Sequence, residues 1–148
     1  MMNRIIPVNV AAMVDYDVLI VGGGMVGMSL AAALGQTTLR VGIVENSDLQ
    51  HRLAHDGRAS AIALGSARIL DQIGAWKTMQ SLGVSPIHRV VVSDEGFPLT
   101  TTLHRNDLGV SALGYVVENQ VTETALAQVV AATRRVQWFR PAKVVAIA

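Results

Sequence analysis

The stretch that decides the fold is DVLIVGGGMVGMSLAAAL, Asp17 to Leu34. A short apolar run, residues 18–21, ends at three consecutive glycines, and a helical period begins at Met25. An unbroken apolar run of this length is typical of a parallel strand that is buried on both faces. Glycines between a strand and a helix predict a turn whose backbone comes close to another group.

The residues that follow extend this pattern to a strand–helix–strand unit. The predicted helix covers residues 25–36, and its expected buried face consists of Val26, Leu30, Ala33 and Leu34. Gly35 is suited to end the helix. The sequence RVGIVE, residues 40–45, then predicts a second buried strand. Two strands joined by a helix within about 30 residues predict a right-handed βαβ unit.

The rest of the chain predicts further strands and helices around this unit. We expect a loop over residues 46–57 and then a helix over 67–73, with Ser66 as its N-cap and Gly74 as its stop. Strands 87–93 and 99–103 are expected to form a hairpin around the sequence DEG. Further strands are expected over 114–117, 136–139 and 144–147, and a helix is expected to contain Val121, Ala125, Leu126, Val129 and Val130. The expected fold class is α/β, a Rossmann-like parallel sheet with an inserted antiparallel pair.

Composition limits the classes of function. The chain has 148 residues, 51% of them hydrophobic and 16% charged, which suits one folded domain rather than a disordered segment. A net charge of +1 gives no basis for nucleic-acid binding, and the absence of cysteine excludes a disulfide framework, a thiolate metal site and a cysteine nucleophile. We interpret residues 1–14 as an N-terminal extension and 15–148 as the domain. We expect no membrane-spanning segment, which needs about 20 apolar residues.

The glycine run contains the pattern G-x-G-x-x-G as Gly22, Gly24 and Gly27. Gly22 allows the tight exit from the strand, Gly24 allows a pyrophosphate to approach the backbone, and Gly27 lets the helix pack on the sheet. The helix start offers N–H groups and a partial positive charge to phosphates. Glu45, at the end of the second strand, can accept hydrogen bonds from ribose hydroxyls and repel a 2′-phosphate. The motif predicts a dinucleotide site but does not separate FAD from NAD, so an NAD-dependent Rossmann dehydrogenase remains an alternative.

Three later stretches carry a family resemblance. They are DGRASAIALGSARILDQIGAW (residues 56–76), VVSDEG (91–96) and ALGYVVEN (112–119). Together with the glycine turn they resemble the para-hydroxybenzoate-hydroxylase-like flavin monooxygenases, and within them the ubiquinone-biosynthesis branch that includes the 2-octaprenyl-6-methoxyphenol hydroxylases. The resemblance implies FAD as cofactor, NAD(P)H as reductant, O2, and a prenylated phenol as substrate. It also implies a cytoplasmic protein that can associate peripherally with the inner membrane or with a quinone-biosynthesis complex.

The same resemblance implies further cofactor-binding residues. Arg58 corresponds to an arginine near the flavin pyrophosphate and ribityl chain, although a surface ion pair with Asp56 is the alternative. Ala59, followed by Ser60, would lie along the flavin. Glu118 and Asn119 begin the helix after GYVV, where the family places a polar residue against the ribityl chain; Asn119 could equally be a plain N-cap. Glu123 stands where many relatives have a basic or other polar residue, so no further role is carried over.

The remaining candidate residues favour structural roles. His51 and His55 have the spacing of two metal ligands on a helix, but no third ligand accompanies them, and we expect no metal site. Trp76 is interpreted as a core or staple residue, and Trp138 and Phe139 as core residues of a strand.

A second flavin motif, a GD stretch that the family carries far downstream, does not occur in these residues. The resemblance therefore predicts that the chain is the N-terminal portion of a longer, C-terminally extended enzyme. We expect residues 1–148 alone to catalyse no hydroxylation, to bind FAD weakly and to self-associate. A non-catalytic remnant that acts only as a binding module is the other alternative.

Overall fold

The computed structural model describes residues 16–47, 57–94, 96 and 99–146. Within these ranges the elements follow one another as β1 (Val18–Val21), α1 (Met25–Leu34), β2 (Val41–Val44), β3 (Ala59–Ala63), α2 (Leu64–Gln72), α3 (Trp76–Leu82), β4 (Ser85–Ile87), β5 (Arg89–Ser93), β6 (Thr100–His104), a 3-10 turn (Arg105–Leu108), β7 (Gly114–Glu118), α4 (Asn119–Ala132) and β8 (Val136–Phe139).

A parallel sheet of order β1–β2–β8 forms the centre of the fold. Val18 lies opposite Val41 in the first pair of strands, and Val41 lies opposite Val136 in the second. All four residues of β2 are buried, as expected for a central strand. The predicted α/β fold with a βαβ unit is thus confirmed, and the third parallel strand is the one predicted at residues 136–139.

The core lies where α1 packs on this sheet and on α4, which in turn contacts β7 and α3. Its buried members come from both helices, from the sheet and from the α2–α3 pair; they include Ile20, Met28, Ala31, Val41, Ile43, Leu70, Trp76, Met79, Leu126 and Val130. Small residues on α1 allow α4 to approach closely. This packing holds the carboxyl ends of β1 and β2 in a fixed relation to the start of α1.

Two burial predictions for the first unit are wrong. In β1 only Ile20 is buried, whereas Val21 is 63% exposed, because alternate side chains of a strand point to opposite faces and only one face of β1 lies against α1. In α1 the buried residues are Met28, Ala31 and Ala32 instead of the predicted face, and Val26 is 85% exposed. Nearly every residue of this helix is apolar, so the apolar period could not identify the face that packs.

The antiparallel part of the fold is larger than predicted. The pairing of β5 with β6 confirms the predicted hairpin. A second antiparallel sheet, of order β3–β7–β4, was not predicted beyond its strand β7. The single strand predicted over residues 87–93 is interrupted at His88, and its two parts, β4 and β5, belong to different sheets. Residues 144–146 do not form the predicted strand.

The helices after β3 also differ from the prediction. Helix α2 begins three residues earlier than expected, so Ala63 occupies the N-cap position and Ser66 lies inside the helix. Gly74 does end this region, with φ of +86° and its N–H donating to the Asp71 carbonyl. Helix α3 was not predicted, but its first residue, Trp76, is buried and packs edge-to-face on Tyr115, as the core interpretation required.

The starts of β1 and β2 are joined by Asp17 and Arg40. The Asp17 carboxylate accepts a hydrogen bond of 2.7 Å from the Arg40 backbone N–H and lies 3.6 Å from the Arg40 Nε. The backbone hydrogen bond from Arg40, assisted by the charge of Arg40, lowers the pKa of Asp17 below its usual value. A pKa that is lowered by folding stabilises the folded protein above the pKa of the unfolded chain, about 3.9, and this stabilisation is lost as the pH falls through the folded value.

We therefore expect Asp17→Asn to reduce the loss of thermal stability between about pH 5 and pH 2. Melting curves across this range, followed by circular dichroism, measure the effect. Asp71→Asn, which changes an exposed acid in α2, is the control. An unaltered acid dependence in Asp17→Asn would show that the Asp17–Arg40 contact does not contribute.

Candidate functional site: the glycine turn and the end of β2

The turn between β1 and α1 has a conformation that glycine alone adopts easily. Gly22 has φ of +104°, and its N–H donates a hydrogen bond of 2.8 Å to the Val44 carbonyl, which ties the turn to the end of β2. At Gly27, a Cβ atom would overlap the Gly22 carbonyl oxygen and come within 3.3 Å of Ile20. The structure therefore explains Gly22 by its backbone angle and Gly27 by the close packing of α1 on the turn.

Gly24 differs from both. It is the N-cap residue of α1, and its φ of −77° and ψ of −174° are open to any residue. Among the described residues, apart from Gly24 and its two chain neighbours, no atom lies within 4 Å of the position of a Cβ. Its carbonyl accepts the first hydrogen bond of the helix, from the Met28 N–H. The first N–H groups of a helix have no acceptor within the helix and attract anions. The open space beside them is of the kind that a phosphate group would fill.

Glu45 lies directly after β2 and faces this turn. Its side chain is buried, and one carboxylate oxygen accepts a hydrogen bond of 2.6 Å from the Gly23 N–H. The other oxygen accepts bonds from the Ser47 N–H at 2.8 Å and from the Ser47 hydroxyl at 2.7 Å. These three donors bind both oxygens and therefore hold the carboxylate in one orientation. Since a carboxylate has about four acceptor sites, it can still accept a further hydrogen bond. The structure thus brings Glu45 and the glycine turn together, as the motif predicted.

A second group of predicted residues meets where β3 pairs with β7. Ala59 lies opposite Glu118, and the Arg58 carbonyl accepts a hydrogen bond of 2.9 Å from the Asn119 N–H. The Ser60 hydroxyl donates to the Asn119 side-chain oxygen over 2.6 Å. Residues from two distant parts of the sequence therefore form one cluster, as the family resemblance implied. Their role toward a cofactor stays a prediction.

The structure corrects the capping role considered for Asn119. Glu118 occupies the N-cap position of α4, and its exposed side chain makes no capping hydrogen bond. Asn119 is the first helical residue and is buried, with its side chain directed to β3 rather than to the helix start. Asn119 therefore joins β3 to α4.

The next turn of α4 also buries polar groups. Glu123 is buried, and so is Thr122, whose hydroxyl has no hydrogen-bond partner among the described residues. The sequence marked Glu123 only as a departure from the family pattern. The structure adds that this carboxylate lies inside the fold.

Sequence reasoning missed three residues around Glu45. Ser47 fixes the carboxylate, Gly23 donates to it, and Trp138 of β8 lies against Gly23. The run of three glycines was a signal for Gly23, whereas nothing in the sequence indicated Trp138. Trp138 and Phe139 do lie in a strand, as predicted, but they are half-buried instead of core residues.

Two further predictions concern a metal site and a membrane span. Among the described residues, no group of three or more His, Cys, Asp or Glu side chains is placed to bind a metal ion, and His51 and His55 lie outside those residues. No helix in the part of the chain described by the structure is both long and apolar enough to cross a membrane.

Comparison with known proteins identifies relatives of this arrangement. The model of a family described as "FAD binding domain" matches residues 15–145. The chain is 41% identical over 123 residues to the ubiquinone hydroxylase UbiL of Rhodospirillum rubrum, covering 81% of this chain and 28% of that protein. It is 32% identical over 134 residues to the 3-demethoxyubiquinol 3-hydroxylase of Escherichia coli, covering 88% of this chain and 34% of that protein.

Solved structures share the fold. PqsL, described as a probable FAD-dependent monooxygenase from Pseudomonas aeruginosa, superimposes with a TM-score of 0.66 at 19% identity, over 83% of this chain and 32% of that one. The chain thus spans about a third or less of the length of these relatives. The family match favours FAD over the NAD-dependent alternative that the glycine motif left open.

Proposed function

Because this chain belongs to the FAD-binding domain family, we propose that it forms the FAD-binding part of a flavin monooxygenase that hydroxylates a prenylated phenol, with NAD(P)H and O2, in ubiquinone biosynthesis. The observation that carries the proposal is the glycine turn opening α1 with the Glu45 carboxylate beside it. The ubiquinone hydroxylases among the relatives support the choice of substrate class. Since the chain spans 28% and 34% of these two proteins, hydroxylation is proposed for the whole protein.

The described residues fit the adenosine and pyrophosphate part of FAD. The space at Gly24 and the N–H groups at the start of α1 suit the phosphates. Glu45 suits a ribose diol, whose hydroxyls would compete with the Ser47 donors for the carboxylate. Arg58, Ala59, Glu118 and Asn119 are proposed to lie farther along the cofactor. The bound flavin supplies the redox chemistry, and the protein residues bind it, orient it and exclude water.

Glu45→Ala is expected to weaken FAD binding by about ten- to a hundredfold, because it removes hydrogen bonds to a charged group. Glu45→Gln keeps a hydrogen-bond acceptor and the size of the side chain, so the loss of FAD affinity should be smaller. Titration of the whole apoprotein with FAD, followed by flavin fluorescence, measures both, and Asp71→Ala, at an exposed position of α2, is the control. If Glu45→Ala binds FAD as tightly as the wild type, Glu45 does not belong to the site.

The substrate assignment has its own experiment. The whole protein is incubated with NADH or NADPH, isotope-labelled O2 and a short-chain prenylphenol, and the phenol is analysed by mass spectrometry. We expect one labelled oxygen atom in the product, and little product from a phenol without the prenyl chain. FAD binding and NAD(P)H oxidation without oxygen transfer to any prenylphenol would contradict the substrate class while leaving the cofactor assignment intact.

A further inference from the structure

Gly23, the variable position of the G-x-G pattern, has a close neighbour. A Cβ atom at Gly23 would lie 2.5 and 2.8 Å from two outer carbon atoms of the Trp138 ring, Cζ3 and Cη2, and 3.1 Å from the Glu45 Cβ. Distances below 3 Å between such atoms do not occur without displacement. A side chain at this position would therefore have to move the indole ring or the turn itself.

Trp138 is positioned by the pairing of its strand and by one contact on the face of its ring. Trp138 lies in β8 opposite Ile43 of the central strand, which fixes its backbone. The Arg140 guanidinium carbon lies 4.6 Å from the centre of the ring, over its face. Beyond β8 the chain returns to the site, because the Ala142 N–H donates a hydrogen bond of 2.8 Å to the Glu45 carbonyl. The paired backbone of Trp138 and the Arg140 contact limit the movement of the ring, so part of a clash at Gly23 falls on the turn.

The consequence concerns Glu45. The Gly23 N–H is the donor that holds one oxygen of its carboxylate, at 2.6 Å. A shift of Gly23 away from Trp138 therefore breaks or bends this hydrogen bond, while the Ser47 donors on the other oxygen remain. Glu45 is the residue proposed to bind the ribose hydroxyls. The geometry of the Gly23–Trp138 contact therefore helps to determine where its carboxylate lies.

We propose that Trp138 is a positioning residue of the nucleotide site: its ring edge requires glycine at position 23 and thereby sets the Gly23–Glu45 hydrogen bond that selects an unphosphorylated ribose. This inference rests on the proposed FAD-binding function and extends it to β8, a strand that the glycine motif does not include. The selected ligand class is a dinucleotide or nucleoside diphosphate with a free 2′-hydroxyl.

The test is a double-mutant cycle with Gly23→Ala and Trp138→Phe. Phenylalanine keeps an aromatic side chain but is shorter than the indole, so it makes room for a methyl group at position 23. Gly23→Ala alone should weaken FAD binding about tenfold or more, and should weaken it less than about threefold in the Trp138→Phe background. Gly65→Ala, at a helical glycine with no neighbour within 4 Å, is the control.

A second readout separates positioning from general destabilisation. The ratio of the affinities for ADP and for adenosine 2′-phosphate 5′-diphosphate, which differs from ADP only in its 2′-phosphate, measures the preference of the site for a free 2′-hydroxyl. Gly23→Ala should reduce the preference for ADP, and the double variant should recover it. A variant that is merely less stable would bind both nucleotides more weakly without changing the ratio.

The outcomes distinguish the two proposals. Whole wild-type protein that binds neither FAD nor ADP would overturn the proposed function and this inference with it. Wild-type binding with an equal effect of Gly23→Ala in both backgrounds, or with no effect in either, would overturn the inference alone. Gly23→Ala that is unfolded in both backgrounds, as judged by circular dichroism, would also contradict it, because removing the outer ring atoms should relieve the clash.

Discussion

Gly27→Ala is expected to destabilise the protein and to abolish FAD binding, although alanine normally stabilises a helix by about 1 kcal/mol relative to glycine. The new methyl group would overlap the Gly22 carbonyl oxygen, which belongs to the backbone and cannot rotate away. Forcing an extra carbon into such a contact costs about 1–3 kcal/mol, which corresponds to a fall in melting temperature of several degrees. The displaced turn would also move Gly24 and the start of α1, where the phosphates are proposed to bind.

Gly65→Ala is the matched control for this experiment. Gly65 also lies in a helix, α2, but no atom lies within 4 Å of its Cβ position. The same substitution there should raise stability by about 0.5–1 kcal/mol and leave FAD binding unchanged. Thermal melts and FAD titrations of both variants measure the contrast. Equal behaviour of the two variants would show that the α1–turn contact does not constrain position 27.

These two glycines also show what could be predicted from the sequence. The turn, the helix after it and the acidic residue at the end of β2 follow from local patterns, so the position of Glu45 beside the turn could be predicted from the sequence. A positive φ or a helix start is a property of a few neighbouring residues. The same locality explains why the βαβ unit and the β5–β6 hairpin were predicted.

The parts that could not be predicted depend on contacts between distant residues. Trp138 touches Gly23 only because β8 joins the sheet beside β2, and Ser60 reaches Asn119 only because β3 pairs with β7. Helix α1 illustrates a second limit. Its apolar residues surround the whole helix, and the face that packs is set by where α4 lies, so the exposed Val26 was expected to be buried.

The family resemblance supplied what local patterns could not. The segments around Arg58 and Asn119 carry no motif with a physical mechanism of its own, yet the structure places them together at the β3–β7 pair. Proximity of these residues is consistent with one binding surface. The hydrogen bond from Ser60 also gives the Asn119 side chain a structural role, joining β3 to α4.

Gly24→Val separates folding from binding at the same turn. Valine accepts the extended backbone angles observed at Gly24, and its Cβ would meet no atom within 4 Å in the part of the chain that the structure describes. The variant should therefore fold with a melting temperature close to that of the wild type. The branched side chain would occupy the space proposed for the pyrophosphate, and an overlap costing 1–3 kcal/mol corresponds to a loss of about ten- to a hundredfold in affinity.

The measurement compares the whole protein carrying Gly24→Val with wild type and with Gly65→Val, which adds the same side chain at an exposed position of α2. We expect Gly24→Val to purify without the yellow flavin spectrum and to bind added FAD weakly, while Gly65→Val resembles the wild type. The melting curve of Gly24→Val without FAD should stay unchanged, in contrast to that of Gly27→Ala, because the valine side chain obstructs the ligand and not the protein. A folded Gly24→Val protein with a full complement of FAD would mean that the pyrophosphate does not lie at this turn.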